Sequence, residues 1–347
     1  MRLCYRGIAA AIFAVVLVAP FPLFSAPLTP ALAPAAPPDS ASSGLIESAQ
    51  RQFDAGNYTL AIATLQSAIG VAPSNADAYY WLGRCYYELR DYDNAVAQLE
   101  KAISLDSQNS VYHQWLGRAY GGKADKERSF SAARKVKSEF EAAVQFDPKN
   151  ITARRDLEEY CMDAPWIVGG NKDESAAQVT AIAALDPVEG HLARAAYDVG
   201  ALKKPEQADS EYRQVLAATP HRIEPYLEAA DFWVKQNKPQ DAGAAVEAAA
   251  TKASSGDPRI AYYRGVVDVL SAADLAGAET LLKSYVASTP DRSDWPSHAS
   301  ARYWMGRLDE AQGKRAEAAE QYRAALELDP GMKDARARLE NLEQASQ

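Results

Sequence analysis

From residue 44 onward, apolar positions recur with helical spacing. In "AVAQLEKAISL", Ala95, Leu99, Ala102 and Ile103 fall at i, i+4, i+7 and i+8, while Glu100 and Lys101 turn away from that stripe. The pattern predicts short amphipathic helices in pairs, with a turn midway through each pair and often a proline at its close. Those prolines are Pro73, Pro148, Pro187, Pro220, Pro258, Pro290 and Pro330, with Ser107 in the slot once. The pattern also repeats. At an offset of 34 residues, Tyr58 recurs as Tyr92, Ala61 as Ala95, Leu65 as Leu99, Ala68 as Ala102, Asn75 as Asn109, Leu82 as Leu116 and Gly83 as Gly117. Self-similarity at this period is the signature of a solenoid, whose units bury their apolar faces only against one another. Gly83, Ala95 and Ala102 form small-residue columns where two helices can approach closely.

The residues carrying this period resemble the tetratricopeptide (TPR) repeat. "YWLGRCYYELRDYDNAVAQLEKAISLD" and "YWMGRLDEAQGKRAEAAEQYRAALELDP" carry the motif most closely. The resemblance implies an all-α, right-handed superhelical solenoid of about eight helix-turn-helix units: 42–75, 76–109, 110–150, 151–188, 189–222, 223–257, 258–298 and 299–332. A cap, 333–347, follows, and the repeat domain runs over 44–347. Repeats of this kind mostly bind peptides and scaffold complexes, so the resemblance implies a protein-interaction role and no enzyme activity, with a membrane-anchored envelope assembly factor or an accessory module of an enzyme complex as the alternatives.

The first residues are different in kind. Arg2 and Arg6 precede an apolar run, Ile8 to Ala19, and Ala33 and Ala35 give an A-x-A exit. This reads as a secretory signal over 1–35, and so as an exported protein, periplasmic or secreted in a bacterium. The alternative is an uncleaved anchor over Gly7 to Ala26, holding the array at the inner membrane facing the periplasm. An Ala/Pro/Ser-rich tether over 36–43 is expected to be disordered.

Composition narrows the function. A net charge of -9 and a pI near 5.1 argue against a general nucleic-acid binder. Contact with a membrane is expected only through the N-terminal segment, if it is not removed. Cys85 and Cys161 fall on the first helices of units two apart, too far for a disulfide at helix spacings of about 8–10 Å, and are expected as free, buried thiols. His113, His191, His221 and His298 share no helical face at i and i+4, so neither a metal nor a cofactor is expected. No G-x-S-x-G is present and no histidine is placed to activate a cysteine.

The resemblance places a concave groove along the first helices. Its candidates are Tyr80, Arg84 and Tyr87 in unit two, Gln114 and Arg118 in unit three, and Arg155 in unit four. Unit five adds Arg194 and Tyr197, and Tyr262, Tyr303 and Arg307 follow later. Each has a plainer reading, as a tolerated surface residue or as inter-repeat packing. As a set, arginine with tyrosine suits a protein or peptide partner, and suggests an extended acidic or C-terminal peptide. The lysines and asparagines of the family's two-carboxylate clamp are missing.

Insertions in two units bear on function. In unit three "GGKADKERSFSAAR" adds seven residues to the period, and from Lys123 to Lys137 there stand Lys123, Lys126, Arg128, Arg134, Lys135 and Lys137 against Asp125 and Glu127, a local charge of +4. This is either a solvated face or a docking patch for an anionic partner. Unit four gains residues between Leu157 and Gly170. There "GGNKDES" sits at the inter-helix turn: glycine would supply positive φ, Asn171 with Glu174 a capping box, and Asp173 and Glu174 would repel a phosphate. The preceding Trp166, Ile167 and Val168 either pack on the unit-three insertion or form an exposed lip beside the groove.

Overall fold

The computed structural model describes residues 38–254 and 256–344. The signal or anchor segment lies outside them, as does the start of the tether. From Pro38 the tether segment differs from expectation. It is the first part of a helix, with Ser42 buried, its hydroxyl donating to the Ala68 carbonyl and accepting from the Asn75 side chain. Those two bonds fix what composition alone reads as loose chain.

Eight helix pairs and a terminal helix follow one another. They are α1 (Pro38–Asp54) with α2 (Tyr58–Val71), α3 (Ala76–Glu88) with α4 (Tyr92–Leu105), α5 (Ser110–Glu127) with α6 (Phe130–Phe146), and α7 (Ile151–Asp163) with α8 (Lys172–Leu185). Next come α9 (Pro187–Tyr197) with α10 (Pro205–Ala217), α11 (Glu224–Lys235) with α12 (Pro239–Ala250), α13 (Pro258–Ser271) with α14 (Leu275–Ser288), and α15 (His298–Ala311) with α16 (Arg315–Leu328). The last helix is α17 (Lys333–Gln344). The fold is an all-α TPR-type solenoid, and the described residues hold no strand and no helix long and apolar enough to cross a membrane.

The sequence columns explain the pairing. A Cβ added at Gly83 would lie 2.7 Å from the Leu99 side chain and 3.2 Å from the Ala95 carbonyl. Gly117 stands in the same relation to Phe140, and Gly306 to Tyr322. By register, Ala49, Ala230 and Gly265 take this place in other units. The Asn75 and Asn109 column caps the next unit: each side chain accepts backbone N–H groups at the start of α3 or α5, and Asn150 does so for α7. Two of the expected closing prolines do otherwise. Pro187 and Pro258 are the first residues of α9 and α13, where a missing N–H costs nothing.

The unit-three insertion is no loop. It lengthens both helices, to 18 and 17 residues against 13 and 14 in unit two. In unit four the extra chain forms a 3-10 turn, Trp166–Val168. The positive φ there belongs to Gly169, at +110°, and not to Gly170. Gly170 is needed for a close approach instead, since a Cβ would lie 1.7 Å from the Ala164 carbonyl oxygen. Asn171 caps α8, accepting from the Asp173 and Glu174 amides, but Glu174 does not complete a box because its carboxylate pairs with Lys137 at 2.6 Å.

Unit four is also where the apolar core thins. One large cluster serves units two to four and another units five to eight, while Val179, Ile182 and Ala193 form only a small group between them. Here the small column is broken, because Glu158 takes the place that Gly83 holds in unit two. Its side chain is 1% exposed and accepts from the Ser175 hydroxyl at 3.2 Å. Burial pushes its carboxyl up to about 7, against the opposing pull of Arg155. Cys85 and Cys161 are free and buried, each thiol pushed up to about 12 by burial.

Two outcomes follow from this packing. Gly83→Leu destabilises the array by about 1–3 kcal/mol through overpacking, whereas Gly70→Ala, with nothing within 4 Å of the new Cβ, does not; urea midpoints compare them. Glu158 binds its proton more tightly folded than unfolded, so stability falls as pH rises from the ordinary 4.5 to about 7 and then levels. Thermal unfolding across that range shows the slope reduced in Glu158→Gln.

Candidate binding cleft

The chain between α14 and α15, Thr289 to Ser297, is a strap that leaves its own units and lands on the first two. Pro290 lies against Gly56, whose φ is +74° and whose missing Cβ would sit 2.2 Å from the proline ring. The Ser293 amide and hydroxyl donate to the Glu88 carboxylate at 2.9 and 2.8 Å, across 205 residues of sequence. Arg292 pairs with Asp294 at 2.9 Å, lies 3.7 Å from Asp54, and stacks on Trp295 and Phe53. The extra length of unit seven, 41 residues against 34, is the sequence signal for this strap.

Beneath the strap, the first helices of units two to four, together with α6, enclose a cleft of about 800 Å³. Its walls include Tyr87, Trp115, Phe140 and Tyr160, and its charged lining is Arg84, Arg118, Asp125, Asp156, Glu159, Asp163 and Asp294. Trp115 is the organising residue. The Arg84 guanidinium lies 4.2 Å from its ring centroid and that of Arg118 4.8 Å. Arg84 is further packed on Phe53 and Trp81, each at 4.6 Å, and its buried Nε has no hydrogen-bond partner among the described residues. Arg118 is held on Asp156 by two bonds of 2.8 and 3.0 Å, and Gln114, itself buried, donates to the same carboxylate at 2.7 Å. Burial raises the Tyr87 phenol to about 12, leaving it a neutral wall.

The expected groove residues therefore separate. Arg84, Tyr87 and Arg118 meet in the cleft. Tyr80 is buried and stacked on Tyr112. Arg155 lines a second cavity of about 370 Å³, where it is bound to Glu228 at 2.9 Å and lies 3.7 Å from Glu189. Arg194 is 3.6 Å from Glu211, and Tyr197 donates to the Lys172 carbonyl at 3.4 Å. Arg307 donates to the Tyr303 hydroxyl and stacks on Trp304. Tyr262 is a correction. It is buried between Tyr263 and, on α14, Tyr285 and presents no groove surface, as is the case for Tyr80 three residues before Gly83, because a ring at this column packs against the neighbouring repeat helices.

The lip divides too. Val168 is buried and its carbonyl accepts from the Tyr160 hydroxyl at 2.8 Å, whereas Trp166 is 84% and Ile167 50% exposed beside the cleft. Of the six basic residues of unit three, Lys123 is paired with Asp93 and Lys137 with Glu174. Lys126 and Lys135 donate to the Arg90 carbonyl and the Tyr120 hydroxyl. Arg128, in the left-handed conformation that ends α5, and Arg134 are exposed. The patch is thus mostly internal bracing. Among the described residues no group of three or more His, Cys, Asp or Glu side chains could hold a metal; His113 and His191 instead contact Glu139 and Glu211.

Family models described as "Tetratricopeptide repeat" match residues 46–110 and 299–332. A solved tetratricopeptide repeat protein from Parabacteroides merdae is 14% identical, with 88% of this chain and 99% of that chain covered and a TM-score of 0.50. A thermophilic TPR protein of Thermus thermophilus is 17% identical over 56% of this chain and 99% of that one, with a TM-score of 0.46. No curated protein matches the sequence.

The ring cage assigns Arg84 a structural share in the cleft. Arg84→Ala lowers stability by about 1–2 kcal/mol, the scale of a desolvated cation–π contact, measurable as a reduced midpoint of chemical unfolding with helical circular dichroism retained.

Proposed function

Because the chain is a tetratricopeptide-repeat protein, we propose that it is a non-enzymatic scaffold that takes a protein partner into the cleft of units two to four. One observation carries this reading. An aromatic-walled cleft of about 800 Å³ opens beside two large apolar side chains, Trp166 and Ile167, that the fold leaves uncovered. Tryptophan left in water at the rim of a concave site has the character of an interface anchor. The N-terminal residues favour export, so the partner is sought in the periplasm or cell envelope of a bacterium, with the array either released or held at the membrane by an uncleaved anchor.

The cleft reading replaces the longer groove expected from register, since Arg155 and Arg194, outside it, already face carboxylates of their own chain. In the native host, a photo-crosslinking residue at Asp163 or Trp166 captures a partner, and one at Glu320, exposed on α16, does not. Capture from Glu320 alone would move the binding surface off the cleft. The N-terminal residue of the mature protein, read by mass spectrometry, decides between release and anchoring.

A further inference from the structure

The charges that line the cleft are opposite to those the arginine-rich register suggests. Asp156, Glu159 and Asp163 lie on one face of α7 at i, i+3 and i+7. Asp125 lies on α5 and Asp294, paired with Arg292, on the strap, so five carboxylates stand against Arg84, Arg118 and Arg292, 3 − 5 = −2 in formal charge. Neither Arg84 nor Arg118 is available to a ligand: Arg118 is spent on Asp156 and Arg84 is sandwiched by aromatic rings. Asp156 is saturated by Arg118 and Gln114. Glu159 and Asp163 are exposed in the cleft, and among the described residues neither makes a hydrogen bond or an ion pair.

Like charges at neighbouring helical positions cost a few tenths of a kcal/mol in water. Walls of low dielectric weaken the screening that would hide that cost. The Glu159 carboxyl is accordingly raised by desolvation, then by Asp156 and Asp163. A cation between the two carboxylates would remove the repulsion, and the rings of Tyr87, Trp115, Phe140 and Tyr160 offer flat surface to the aliphatic stem behind it. The volume far exceeds one side chain and is in the range of pockets that bury an extended ligand. At the rim, Trp166 and Ile167 stand on the turn that follows α7, a few residues past Asp163.

We infer that the cleft recognises an extended peptide segment in which a lysine or arginine enters between Glu159 and Asp163 while a neighbouring apolar residue covers Trp166 and Ile167. This rests on the cleft being the partner site. An acidic segment would instead add negative charge to a surface that already carries an excess of it.

The test uses the full chain and fluorescent peptides of one extended frame, with Lys, Arg, Glu or Gln at the centre and Leu or Ser beside it. Fluorescence anisotropy is expected to show Lys or Arg binding about tenfold more tightly than Glu, a preference that shrinks with salt because the contacts are ionic. Glu159→Gln with Asp163→Asn removes the charge preference and spares the Leu preference; Trp166→Ser with Ile167→Ser does the reverse. Both pairs of positions are exposed, and unchanged thermal unfolding confirms that each variant is folded. Equal or tighter binding of Glu or Gln peptides, still lost in the lip variant, overturns the cationic ligand and leaves the cleft as the partner site. If no peptide binds and crosslinking captures partners only from Glu320, the cleft reading itself falls.

Discussion

The closeness with which the two helices of each unit can approach governs everything else in this molecule. A glycine or alanine on the first helix lets a leucine, phenylalanine or tyrosine of the second enter against its backbone, as Gly83 admits Leu99 and Gly117 admits Phe140. That contact fixes the separation and tilt within a pair, and stacking of pairs carries it along the chain. Residues on the outer side of the first helices inherit their directions from it. Arg84 and Arg118, one period apart, therefore arrive on a single indole ring.

Unit four shows what happens when the rule is bent. A buried carboxylate stands where a hydrogen or methyl stands elsewhere, and among the described residues its hydrogen bond is to Ser175 alone. The apolar clusters on either side do not merge through it. Ionic links take over there, from Arg155 to Glu228 and Glu189. The same unit supplies both the acidic wall of the cleft and its exposed tryptophan. Its inserted turn, Trp166–Val168, is at once a departure from the repeat and the part that leaves a tryptophan exposed beside the cleft.

The fold was legible because its determinants are local and periodic: helical spacing, a period of 34, small columns and turn residues. The cleft was less so. Register assigned Arg84, Tyr87 and Arg118 to one stretch of groove, but it counted cations without their partners. Asp156, on the next unit, neutralises Arg118, and no pattern within one repeat shows this. The carboxylates at 156, 159 and 163 were visible as a helical stripe, yet acidic stripes most simply face solvent, and only the strap and the curvature put these inside. Tyr262 failed for the opposite reason, since a tyrosine at a groove position can also serve as core. Trp166 could not be assigned either way, because burial of a short inserted turn depends on neighbours from another unit.

The strap changes how information about the state of the chain spreads. A repeat array behaves nearly as a one-dimensional system, in which each unit senses only those beside it. Joining Ser293 to Glu88 ties units seven and two together across 205 residues. At ~5–20 residues/s of synthesis, roughly 10–40 s separate the two residues, while helical pairs form far faster. Units one and two therefore exist first as an open array and acquire their last partner only when unit seven is finished. A lesion near Pro290 is consequently felt at Gly56, at the opposite end of the repeat order.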